Sequence, residues 1–249
     1  MFLFTHIEKC AGTSFNEILS LTYPRYFHVT KNKFGGNETR NDLTEKQYRK
    51  ILRYCPSGIG GHSVRPYLGF LSESKRITFL RNPLERYLSQ YNHMIEAGWI
   101  TSMDDFLNKD FYNNFMTKKI AGENDYKCAE EILADFEFIG NADDYNRSLN
   151  YLQDVLKVKL IGNAVYKNQR KHNLNYLSFS DLSTSQKLKA EENNQLDIQL
   201  YEKFILRSSV IGSYSDIVNL KPPSKFRVKI IHKINKCKKN KIINPIRLA

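Results

Sequence analysis

The 249-residue chain has no C-x-x-C pair, no histidine cluster at metal-ligand spacing and no long apolar run. Its four cysteines, Cys10, Cys55, Cys128 and Cys237, are isolated from one another. Neither a metal site nor a disulfide framework is therefore expected, and free thiols fit a reducing compartment. No stretch approaches the roughly 18 apolar residues of a membrane span. The opening MFLFTHIEK has no basic leading segment and no long apolar segment, so it does not read as a signal peptide. These absences predict a cytoplasmic protein.

Acid is missing from the end of the chain. Lys221 to Ala249 carry ten Lys or Arg and no Asp or Glu, which leaves the preceding 220 residues near +2 of a formal total of +12. The body is thus no strongly basic nucleic-acid binder. The chain divides into a body, 1–220, and a basic tail, 221–249. Ile231, Ile234, Ile242 and Ile243 lie among the tail lysines. The tail reads either as a solvated extension or as a basic amphipathic segment resting on an anionic membrane.

What is present suits one large folded unit. Hydrophobic residues make up 41% and aromatics 12%, enough for a sizeable core and too much for disorder. Short apolar runs at Phe2–Ile7, Tyr23–Thr30, Ile59–His62, Arg76–Leu80, Phe136–Gly140 and Val158–Ile161 read as strands. Helical spacing appears over Ser14–Leu21, Thr44–Tyr54, Pro83–Ala97, 102–109, 127–135, 143–156 and a broken 184–206. Lys31–Asn41, rich in Gly, Asn and charge, reads as a mobile loop. Strands alternating with helices predict an α/β fold, a largely parallel sheet covered on both faces.

Two segments carry chemistry. In FTHIEKCAGTSF, Phe4 to Phe15, a strand ends, a short loop turns and a helix begins. A helix start offers unpaired N–H groups and the positive end of the dipole, which suits an anion. Gly12 permits close approach, Thr13 and Ser14 add hydroxyls, and Lys9 adds a positive charge. Lys9 precedes the glycine, unlike the Walker pattern, where Lys follows the loop glycines. On residue types alone, a plain strand–turn–helix with Ser14 as N-cap fits equally well.

The second segment is RITFLRNPLERYLSQYNH, Arg76 to His93. Arg81 stands at the carboxyl end of a strand, where ligands sit in open α/β sheets. Its planar fork suits phosphate oxygens, and Ser89 follows two helical turns later. Taken singly, Arg81 also reads as a surface ion pair with Glu85, and Ser89 as a small contact residue.

Together the two segments resemble the sulfotransferases that use 3′-phosphoadenosine-5′-phosphosulfate (PAPS), in particular the branch acting on glycans, of the uronyl 2-O type. HIEKCAGTS resembles the 5′-phosphosulfate loop, roughly H-I/V-P-K-T/C-A/G-G/S-T-S, with Glu8 in place of proline and Cys10 in place of threonine. Arg81, Asn82, Pro83, Glu85, Arg86, Ser89 and Tyr91 resemble the 3′-phosphate segment. The resemblance implies a P-loop-NTPase-like sheet. It implies PAPS as co-substrate, held by Lys9, Cys10, Ala11, Gly12, Thr13 and Ser14 and by Arg81 and Ser89. Cys10 would contribute only its backbone N–H. GIGGHSVRPYLGF, Gly58 to Phe70, resembles the stretch that carries the catalytic base in these enzymes, which falls on His62. A histidine is suited to accept the hydroxyl proton near neutral pH. Lys9 would stabilise charge on the departing phosphate oxygen, and no metal is implied.

Other residues read less sharply. His6 reads as structural, and His93 as a lining residue of the acceptor cleft. Trp99 reads as core, with sugar stacking as the alternative. Arg170, Lys171 and Asn173 are candidates for a loop closing over the nucleotide. Cys10, at a helix start, reads as a reactive thiol. Two other function classes fit parts of the chain. One is a nucleotide-dependent kinase on a related sheet, which lacks a metal-binding Asp at a strand end. The other is a membrane- or nucleic-acid-binding module built on the tail.

Overall fold

The computed structural model describes residues 1–29, 43–68, 74–162, 176–208 and 210–238. The expected loop over 31–41, the candidates Arg170, Lys171 and Asn173, and Ile242 and Ile243 lie outside these residues. Five strands form one sheet: β1 (Phe2–Thr5), β2 (Tyr26–His28), β3 (Gly58–Gly61), β4 (Lys75–Leu80) and β5 (Phe138–Asn141). All pairings are parallel and the order is β2-β3-β1-β4-β5.

Alternation along β1 shows how both faces are covered. Phe2 and Phe4 enter the main core with Ile77, Phe79 and Phe138, while Leu3 joins Phe27 and Ile59 on the other side. The main core is closed by α1 (Gly12–Thr22), α5 (Phe115–Ala121), α6 (Tyr126–Ala134), α7 (Tyr145–Leu156) and α9 (Gln195–Tyr201). The opposite face is closed by Tyr48 and Ile51 of α2 (Glu45–Leu52). Phe79 meets Phe15, Phe138 and Tyr145 with ring centroids 4.9, 5.3 and 5.4 Å away. Aromatic pairs of this kind add about 0.5–1.5 kcal/mol each beyond the area they bury.

A third cluster sits beside the sheet. Tyr87, Leu88 and Tyr91 of α3 (Pro83–Glu96) pack there with Met103, Phe106 and Leu107 of α4 (Met103–Leu107) and with Ala190 of α8 (Thr184–Glu192). α3 starts as its sequence dictates, with Pro83 in the first turn and the Asn82 side chain accepting from the N–H groups of Leu84 and Glu85.

Two elements depart from the sequence reading, and a third, the 184–206 segment, is broken as expected. Residues 158–161 form no strand; Ile161 makes one isolated bridge with Lys221, and Leu160 is buried in the main core. The apolar run there reflects that anchoring and not a place in the sheet. The broken 184–206 segment resolves into α8, α9 and a π-helical turn, Glu202–Leu206. Helix α5 was not expected from the sequence. The tail is helical over α10 (Lys225–Lys238), which lies on α1. Arg227 donates from Nε to the Leu21 carbonyl at 2.7 Å and from Nη2 to that of Thr22 at 3.2 Å. A cation is thus placed at the negative end of α1.

The topology sets the position of the site. The connection leaving β1 runs toward β2, and the one leaving β4 runs the other way, toward β5. The carboxyl ends of adjacent strands β1 and β4 are therefore the switch point, where open α/β sheets hold ligands. The Lys9 loop follows β1 and Arg81 follows β4.

Candidate active site

The loop between β1 and α1 is built for close approach by its backbone. Lys9 and Ala11 both have left-handed φ, 68° and 60°, a conformation that suits concave arrays of N–H groups. α1 begins at Gly12, two residues before the Ser14 cap that residue types allowed. Its N-cap is Ala11, which has no side-chain acceptor, and its first turn has no acid. The first helical bond is Phe15 N–H to the Ala11 carbonyl, 3.2 Å. The N–H groups of Gly12, Thr13 and Ser14 precede it and have no acceptor inside the helix. An anion would supply the missing cap. The Cβ that Gly12 lacks would lie 1.9 Å from the His6 ring, so the glycine is required by that packing.

Two expectations for Cys10 fail here. Its N–H donates to the Ile7 carbonyl at 3.3 Å and so is committed to the turn. Its thiol is buried in the core, and burial pushes it up to about 12. Cys10 is a packing residue, because the turn directs its side chain inward and away from the helix start.

Lys9 and Arg81 meet at the sheet edge. Arg81 Nη1 donates to the Lys9 carbonyl at 3.4 Å. Its Nε edge is taken by Asp143 Oδ1 at 3.2 Å, and Glu85 lies 3.7 Å from Nη2. Asp143 also accepts from the Asn82 N–H at 2.7 Å, so the turn after β5 braces the start of α3. Burial, and then the nearby Arg81, hold the Lys9 ammonium below its usual range. Ser89 sits half-buried two turns into α3, and the hydrogen bonds of the described residues do not connect it to the loop.

His62 follows Gly61, whose φ of 133° and approach to the Val29 carbonyl exclude any other residue. Glu8 Oε1 lies 2.7 Å from His62 Nδ1 and accepts from Lys119 Nζ at 2.9 Å. Lys119 also donates to the His62 carbonyl at 3.0 Å. Burial alone would raise the Glu8 carboxyl, but Lys119 and then His62 outweigh it and hold Glu8 well below the usual carboxylate range. The His62 ring stacks on His6 with centroids 3.9 Å apart. His6 matches its expected structural role. Its Nδ1 faces the Asn16 amide at 3.2 Å, and burial, then the nearby His62, push the ring well below its usual range.

Sequence reasoning missed Glu8, Lys119 and Asp143. Lys119 rides on α5, whose signal was its end: two lysines followed by Gly122, which takes the left-handed C-cap with φ 91°. The start of α5 is held by buried Asp197, which accepts from the N–H groups of Met116 (2.9 Å) and Thr117 (2.7 Å) and from the Thr117 hydroxyl (2.8 Å). Arg86, from the second motif, is fully buried over the Phe115 ring, 4.9 Å from its centroid. Trp99 is not core: it is 49% exposed and meets His93 edge-on at 5.8 Å. Burial, and then Lys9, lower His93, so this exposed pair stands within electrostatic reach of the loop.

A parallel sheet in this order, with a helix start and a guanidinium brought together at its switch point, defines an α/β protein of the P-loop-like kind. The model of the Sulfotransferase family matches residues 1–204, and the chain belongs to that family. It is therefore a transferase of sulfuryl groups. No curated protein matches it. Among the described residues no helix is long and apolar enough to cross a membrane, and no group of three or more His, Cys, Asp or Glu is placed to hold a metal ion.

Proposed function

We propose that the chain transfers a sulfuryl group from PAPS to a hydroxyl of a carbohydrate, with His62 as general base. One observation carries the reading: the 3.4 Å contact from Arg81 to the Lys9 carbonyl, which joins the two anion-binding segments at one edge of the sheet. A single nucleotide with phosphates on both sides of its ribose suits that arrangement. When bound, PAPS supplies the activated sulfuryl group. The N–H groups of Gly12, Thr13 and Ser14 and the exposed Thr13 hydroxyl would hold its 5′ end, and Arg81 with Ser89 its 3′-phosphate. As the acceptor oxygen bonds to sulfur, His62 takes the hydroxyl proton. The electron pair of the breaking S–O bond stays on the phosphate oxygen, whose charge Lys9 offsets.

A sugar acceptor is supported by the exposed indole of Trp99 beside His93, a flat apolar surface with polar neighbours. An anionic membrane as a further partner is supported by the outer side of α10. Phe226 is 73% and Ile230 39% exposed there, beside exposed Lys225, Lys229, Lys233 and Lys236. Ile231, which the sequence suggested for that face, is buried on the body side instead.

Thermal shift with 3′-phosphoadenosine-5′-phosphate, ATP and AMP tests the nucleotide. At hundredfold excess over Kd the bisphosphate should raise Tm by about 5–10 °C. A larger rise with ATP, or none with the bisphosphate, overturns the reading.

A further inference from the structure

The pairing of Glu8 with His62 goes beyond a lone histidine at a strand end. Glu8 stands in the anion loop, where the resembled motif has proline, and its carboxylate is turned away from the helix start toward β3. His62 Nδ1 and Glu8 Oε2 are buried and neither has a hydrogen-bond partner among the described residues, although Glu8 Oε1 is only 2.7 Å from Nδ1. A buried ring nitrogen and a buried carboxylate oxygen left open beside each other are costly, and a proton held between the ring and the carboxylate relieves that cost. The His62 side chain is 32% exposed. Of the two ring nitrogens, Nδ1 is the covered one.

We infer that Glu8 is a positioning residue that holds the His62 proton on Nδ1 and so leaves Nε2 bare to accept a proton. This deepens the general-base role proposed above and rests on it. The other groups facing the pair fit the assignment. Lys119 of α5 keeps Glu8 ionised, and His6 at the end of β1 stacks on the His62 ring as a neutral partner with its own Nδ1 facing Asn16. His28 of β2 adds positive potential at His6. When Nε2 gains a proton, the carboxylate balances the new ring charge without moving, as a preorganised group should. The same pairing of a buried carboxylate with the inner ring nitrogen organises catalytic histidines on unrelated folds.

Nitrogen-15 NMR of the histidine rings in the full chain tests the inference at a pH where His62 is neutral. In the wild type the His62 proton resides on Nδ1. The double variant E8L/K119M removes both charges, so no buried lysine is stranded, and the proton moves to Nε2. Titration with 3′-phosphoadenosine-5′-phosphate serves as the folding control, since neither residue contributes to the proposed nucleotide pockets. A wild-type ring already protonated on Nε2 overturns the inference whether or not the variant folds. An unchanged tautomer in a folded double variant overturns it as well. Failure of nucleotide binding in the wild type would count against the proposed reaction and leave the tautomer result standing.

Discussion

At the scale of single residues, the site is a set of charges that each restrict another. His62→Ala removes the proposed base and leaves Arg81 and the N–H groups of Gly12, Thr13 and Ser14 in place. Turnover should fall by about 10²–10⁴-fold while bisphosphate affinity stays within a factor of two or so. Steady-state rates with calorimetry read both, and wild-type turnover would remove His62 from the mechanism. Arg81→Ala should weaken bisphosphate binding by about 1.5–3 kcal/mol, the worth of a hydrogen bond to a charged group. Calorimetry showing equal affinity would rule out the clamp. Cys10 behaves oppositely to the expectation for a helix-start thiol. Burial moves its thiol up to about 12, so the thiolate is scarce until the pH nears that value. Iodoacetamide at pH near 8 should label exposed Cys55 first and Cys10 only on unfolding, as read by mass spectrometry. Labelling of Cys10 in the folded chain at a rate similar to Cys55 would contradict the burial.

At the scale of elements, α5 shows how far the site depends on a segment without chemistry of its own in the sequence. Its start hangs on Asp197, and buried Arg86 lies within the electrostatic reach of the same carboxylate. Burial raises the Asp197 carboxyl, against the pull of Arg86 and of the N–H groups it accepts from. Asp197→Ala strands those donors and the guanidinium together. A loss of about 3–5 kcal/mol in urea unfolding is expected, with Asp197→Asn milder; a loss under about 1 kcal/mol would show that α5 is held elsewhere. This also explains what the sequence shows and what it hides. Strands β1 and β4 and helix α3 were legible because β-strand apolar runs, Pro83 and Asn82 are local signals. The Lys9 loop and Arg81 were legible through resemblance. Glu8 reaches His62 from 54 residues away, Lys119 reaches the same residue from 57 away and Asp143 reaches Arg81 from 62 away, and no spacing rule marks such pairs. Residues 158–161 misled because burial against the body and burial in a sheet call for the same side chains.

At the scale of the whole molecule, the tail is partly fastened to the body. Lys221 donates its N–H to the Leu160 carbonyl at 2.9 Å, and Arg227 occupies the end of α1. Cutting the chain before Lys221 would therefore disturb both. Phe226→Ser with Ile230→Ser changes only the outward side of α10. If that side lies on an anionic membrane, cosedimentation with phosphatidylserine vesicles should weaken by about tenfold or more, given about 1.5–3 kcal/mol for each large apolar side chain buried. Equal pelleting of the two proteins would end the membrane reading.

The guanidinium of Arg81 is engaged by Asp143, Glu85 and a peptide oxygen. On the proposed reading, filling the cleft would be an exchange of partners, not the capture of an ion by a bare positive hole. Chloride, with one diffuse charge, offers too little to displace two carboxylates. A doubly charged phosphate that can take two N–H bonds at once offers more, so on the proposed reading the cleft would discriminate against the commonest small anions around it.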